Sequence, residues 1–181
     1  MTQKHIFLLI TRMRRSEKGV TLLELLIYMG IFATLLMVLV ELFGNIVNVS
    51  LKTQAVSAVS QDGRYILNRF TYDIRQATTI AIPASGSSGS TLQFTKGDGK
   101  TYTYSLVAGA NGEDDLDLSD GINTAVVNGY GTTVSSISFT HLATTGTSGL
   151  QTITISLTLK GRIKDQQGYE QKTFTTTVGI R

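Results

Sequence analysis

Val20 to Phe43 is an almost unbroken apolar run of 24 residues, and any fold for this chain has to find a place for it. As a helix rising 1.5 Å per residue it extends about 36 Å, enough to cross the hydrocarbon of a bilayer with some tilt. A basic segment, Arg12, Arg14, Arg15 and Lys18, precedes it and ends at Gly19. The next positive side chain is Lys52, so the positive-inside rule puts the N-terminal side in the cytoplasm and the remainder outside. The earlier apolar stretch, Ile6–Ile10, is too short to span or to form a secretory core. One residue conflicts with such a helix: Glu24, at the fifth position after Gly19. An ionisable side chain at mid-membrane costs roughly 2.5–3.5 kcal/mol on insertion scales, so a carboxylate here marks a functional position.

The basic leader, Gly19, Thr21 at the second position after it, Glu24 at the fifth and the long apolar run together resemble the class III signal of type IV prepilins and type II secretion pseudopilins. The resemblance implies cleavage by prepilin peptidase between Gly19 and Val20, on the cytoplasmic side, with the apolar helix kept in the mature protein. It implies N-methylation of Val20 and an assembly role for Glu24, whose carboxylate pairs with the α-amine of a neighbouring subunit as helices enter a fibre. A glycine before the cut admits the backbone to a narrow peptidase site without side-chain interference. Two positions depart from the family's pattern. Val20 stands where Phe is usual, and Glu41 stands where many major pilins carry a kinking proline; the chain's one proline is Pro83.

Composition constrains the rest. At 181 residues there is room for one domain plus a membrane segment. The formal charge of +3 is concentrated in the leader, which takes five of the 16 Lys/Arg and one of the 13 Asp/Glu and leaves 11 against 12. A broad basic surface for nucleic acid therefore has no support from composition. There is no Cys, so disulfides, thiolate metal sites and thiol nucleophiles are excluded.

Beyond the apolar run, Gly44 to about Thr79 lacks proline and switches to helical periodicity. Val56, Val59, Gly63, Ile66, Phe70, Ile74 and Ala77 form one stripe. Asp62, Arg64, Arg69, Asp73 and Arg75 are expected to face mostly away, with Arg69 and Asp73 as an i,i+4 pair. Gly44 and Asn45 mark a place where the helix can bend. Residues 61–77 also resemble, more loosely, the corresponding stretch of larger minor pilins and the J-type pseudopilin. Pro83–Ser90 reads as a flexible loop. Thr91–Thr95 and Thr101–Leu106 flank a glycine-containing turn and predict a hairpin. Short strands are expected at Leu116–Leu118 and Thr124–Val127, and longer ones at Ser135–Leu142, Gln151–Ile163 and Tyr169–Ile180. In the last two, apolar residues alternate with Thr and Ser, the pattern of an antiparallel sheet covered on one side. The expected fold is α+β and pilin-like. It has a leader to residue 19, a transmembrane or fibre-core helix over 20–43, an amphipathic helix over 44–79 and a β-rich extracytoplasmic domain over 80–181.

No catalytic constellation can be assembled. His5 lies in the leader, and His141 shares a strand face with Ile137 and Phe139, which reads as a packed histidine. Glu113, Asp114, Asp115, Asp117 and Asp120 form the one acidic cluster; its spacing does not match an EF-hand, and a solvated loop is the expectation. Tyr102, Tyr104 and Tyr130 read as hairpin and surface residues. No cofactor and no metal are expected. The function expected from the resemblance is a non-enzymatic minor pilin or pseudopilin of a type IV pilus, a competence pilus or a type II secretion pseudopilus. Its partners are then prepilin peptidase, other such subunits, the inner-membrane assembly platform and, before assembly, membrane lipid. The rival is an unprocessed, signal-anchored extracytoplasmic binding module.

Overall fold

The computed structural model describes residues 20–109, 112–142 and 151–180. The leader, with Gly19 and His5, lies outside the described residues. The chain divides between Gly44 and Asn45 into two units. Helix α1 (Leu22–Arg75) supplies the described part of the first and the opening of the second.

In the first unit every described residue is exposed, Leu22, Met29, Met37 and Val40 among them. Apolar surface on this scale is unfavourable in water and favourable in hydrocarbon or against other apolar helices. Among the described residues α1 is the helix long and apolar enough to cross a membrane.

Among the described residues, the second unit packs the C-terminal part of α1 against nine strands in two antiparallel sheets. One has five strands in the order β1 (Ala77–Ile82), β3 (Leu92–Lys96), β4 (Thr101–Ala108), β5 (Asp114–Ser119), β6 (Thr124–Val126). The other has four, in the order β2 (Ser88–Gly89), β7 (Thr132–Leu142), β8 (Thr152–Asp165), β9 (Gly168–Gly179). The α+β expectation thus holds, with two sheets in place of one. Phe70 of α1 joins them: its ring lies edge-on to Tyr104 of β4 at 4.6 Å and to Phe139 of β7 at 5.4 Å. Such edge-to-face pairs contribute about 0.5–1.5 kcal/mol beyond area burial.

The buried face of α1 is Ala55, Val59, Gly63, Ile66, Phe70, Asp73 and Ile74. Two details correct the stripe read from sequence. Ala55 replaces Val56, which is 37% exposed; Ala55 and Val59 lie under the β8 backbone at Gly161. The helix also stops at Arg75 instead of continuing to 79. Gln76 N–H closes a tight last turn on the Asp73 carbonyl at 3.2 Å, and the β-branched run Thr78-Thr79-Ile80 pairs with β3. Gly63 is needed for close approach: a Cβ there would overlap the Phe174 ring of β9.

On β8, Ile153, Ile155, Leu157 and Leu159 are buried, each worth about 1.5–3 kcal/mol of apolar burial. On its other face Thr154 and Thr158 hydrogen-bond Thr177 and Thr173 of β9 at 3.1 and 2.9 Å. The alternation read from sequence is therefore the packing. The expected loop over Pro83–Ser90 contains β2, which pairs with Phe139 and Thr140, so it is tied to the second sheet.

Candidate functional site

Glu24 is placed by the start of α1. Thr21 precedes the first helical residue, and its side-chain oxygen accepts the Glu24 N–H at 3.2 Å while its carbonyl accepts Leu25 N–H at 3.0 Å. This is N-capping, and Thr21-Leu22-Leu23-Glu24 has the spacing of a capping box. The Glu24 carboxylate is engaged elsewhere, because its Oε1 accepts a hydrogen bond from the Tyr28 hydroxyl at 2.8 Å. A carboxylate in the first turn is also favoured by the unpaired N–H groups and positive end of the helix dipole. The same turn therefore offers a defined place for a negative charge in an otherwise apolar stretch.

Among the described residues no cation is paired with it. No Lys or Arg occurs between Lys18 and Lys52. Val20, 62% exposed, lies four positions before Glu24. Gly19, on the other side of the expected cleavage, is outside the described residues. Tyr28 was not singled out from sequence; its i,i+4 spacing from Glu24 was the available signal.

The other candidates resolve into structural roles. Asp73, expected to face away, is buried and accepts hydrogen bonds from Arg69 Nε at 3.1 Å, Lys96 Nζ at 2.8 Å and the Tyr104 hydroxyl at 2.5 Å. Burial alone pushes its acidity toward the neutral form, but the hydrogen bonds from Lys96, Tyr104 and Arg69 outweigh that and hold it below the usual carboxylate range. Tyr104, expected at the surface, is buried beside it, and burial together with the Asp73 carboxylate pushes its hydroxyl far upward. The i,i+4 pair of Arg69 and Asp73 forms as expected, but it points inward to a strand lysine.

Asp62 likewise turns inward, accepting Gly129 N–H at 2.9 Å and the Thr132 hydroxyl. The acidic cluster is not a solvated loop. It runs along β5 and its flanks, where Glu113 accepts from Lys160 Nζ at 3.0 Å and Asp115 from Arg162 Nη2 at 2.9 Å. Both cations come from β8, so these carboxylates link the two sheets. Asp120 caps a turn through Ile122 N–H and Asn123 N–H at 3.0 and 2.6 Å, which holds its acidity on the ionised side. Among the described residues no group of three or more His, Asp or Glu side chains is arranged to hold a metal ion. His141 is buried, with Nδ1 2.9 Å from the Pro83 carbonyl, a packed histidine as its strand face implied. Tyr130 is 94% exposed and sits over the Arg162 guanidinium at 5.7 Å.

Comparison with known proteins agrees with the N-terminal geometry. Residues 14–40 match the family model for the prokaryotic N-terminal methylation motif. No curated protein and no solved structure matches the chain. The motif spans the basic residues Arg14, Arg15 and Lys18, the glycine, and the capped turn that carries Glu24. It is the signal of a structural subunit that is processed by prepilin peptidase, anchored by an apolar helix and assembled with other pilins. With that signal and an α+β, pilin-like architecture, the chain is similar to type IV pilins and pseudopilins in its N-terminal signal and its helix-on-sheet fold.

Proposed function

We propose that the chain is a minor pilin or pseudopilin, a non-enzymatic subunit of a type IV pilus, a competence pilus or a type II secretion pseudopilus. In this reading the peptidase cuts between Gly19 and Val20, Val20 is N-methylated, and the N-terminus faces the cytoplasm until the subunit leaves the membrane through the assembly platform. Glu24 is the assembly residue. The observation that carries the reading is a capped, first-turn carboxylate with no Lys or Arg between Lys18 and Lys52 to neutralise it. Removal of the leader also removes Lys18, and the cation created closest to Glu24 in sequence is the new α-amine of Val20. A carboxylate and an ammonium 4 Å apart attract by about 4 kcal/mol at an effective dielectric near 20, before desolvation. Both are unfavourable alone in hydrocarbon, so helices are drawn together where the Glu24 of one copy meets the α-amine of another. The minor over the major subunit is supported by the looser likeness of residues 61–77 to larger minor pilins and the J-type pseudopilin.

The test is the intact mass and first residue of the protein recovered from hosts with and without prepilin peptidase. The expected outcome is a chain beginning at N-methylated Val20 only when the peptidase is present. A chain that keeps its leader in both hosts overturns the reading in favour of a signal-anchored extracytoplasmic module.

A further inference from the structure

The Glu24 carboxylate is held at both ends of its residue. Thr21 fixes the backbone, with its side-chain oxygen accepting Glu24 N–H at 3.2 Å, and Tyr28 fixes the side chain, with its hydroxyl donating to Oε1 at 2.8 Å. Tyr28 is one helical turn further on, on the same face, and its ring is exposed along the helix surface. The described residues bring nothing against this part of α1. What distinguishes Tyr from the Leu, Ile and Met around it is the hydroxyl donor.

In hydrocarbon that donor has two effects. It satisfies one carboxylate oxygen that has no water, and an unsatisfied acceptor there is costly. It also restricts a glutamate side chain that otherwise loses rotamer freedom when it docks. We propose that Tyr28 is a positioning residue for assembly: its hydroxyl holds Glu24 in one orientation along α1, covering Oε1 and leaving Oε2 for the α-ammonium group of a second copy. This rests on the reading of Glu24 as the assembly residue.

The experiment compares Tyr28→Phe, Tyr28→Gln and Glu24→Ala in the full chain, expressed in its own host. It measures membrane content, leader cleavage and the amount recovered in the fibre fraction. Phe removes only the oxygen, so insertion and cleavage are expected to stay at the unaltered level. Fibre incorporation of Tyr28→Phe is expected to fall between about threefold and twentyfold, the range for a single hydrogen bond within a membrane. Tyr28→Gln restores an N–H donor at the same spacing and is expected to incorporate better than Tyr28→Phe. Normal incorporation of Tyr28→Phe while Glu24→Ala is excluded would overturn the role of Tyr28 and leave that of Glu24 standing. Incorporation of Tyr28→Gln below that of Tyr28→Phe would assign the position to ring packing and likewise overturn it. Normal incorporation of Glu24→Ala would remove both.

Discussion

Asp73 on the helix accepts a 2.5 Å hydrogen bond from the hydroxyl of Tyr104 on β4, with both residues removed from solvent. Lys96 closes the same carboxylate from the end of β3, and Arg69 from one turn earlier on α1. A buried charge is tolerated only when it is paired and hydrogen-bonded, and here the helix and the first sheet meet around one. Replacing Asp73 by Asn keeps the shape but leaves Lys96 without its counter-charge. The expected loss is about 3 kcal/mol, the range for breaking a buried pair, read as a lower midpoint in chemical denaturation of the detergent-solubilised protein. An unchanged midpoint would show that the pair adds nothing.

The same carboxylate sets an acid limit. Its folded-state acidity lies below the ordinary value of 3.8, so the unfolded chain takes up a proton first as pH falls. The stabilisation it provides is complete above about pH 5 and lost progressively below it, as pH falls through the unfolded-state and then the folded-state value. Denaturation midpoints measured from pH 6 to pH 2 should drop through that window, and Asp73→Asn should flatten the drop.

Gly63 and Phe174 make a separate prediction. A methyl group at Gly63 would overlap the ring, so Gly63→Ala is expected to destabilise by about 1–3 kcal/mol, although alanine is the better helix former. Adding Phe174→Leu should recover part of the loss. Additive losses in the double variant would show that the ring is not the obstacle.

Asp62 holds the turn before β7 by accepting from Gly129 N–H and the Thr132 hydroxyl. Asp62→Ala leaves both donors to find water, with an expected cost of about 1–3 kcal/mol. Amide exchange at Gly129 should accelerate in this variant while exchange in β8 is unchanged. Equal acceleration across both sheets would mean global unfolding rather than a released turn.

Processing has its own test. With Gly19→Val the added branches at Cβ obstruct a narrow peptidase site, so the chain should accumulate with its leader attached, visible as a higher intact mass. Normal cleavage of that variant would remove the steric argument for the glycine.

Much of this was legible along the chain. The apolar run, Glu24 after Gly19, the 3.6-residue stripe through Phe70 and Ile74 and the two-residue alternation of Ile153 to Leu159 are local periodicities, and each has the same meaning whatever packs against it. The helix end and the choice between Ala55 and Val56 were not local. They depend on where β3 and Gly161 arrive.

Polar residues divide in the same way. Sequence alone determined the apolar helix, its signal, the longer strands and the absence of thiol chemistry, because these follow from residue type and spacing. Tertiary structure decided that the strands form two sheets, that Asp73 and Tyr104 are interior, and that the acids around β5 meet Lys160 and Arg162. A carboxylate is charged wherever it stands. Whether it faces water or a buried cation is set by what the fold brings within about 3 Å of it, and those partners lie mainly on other elements.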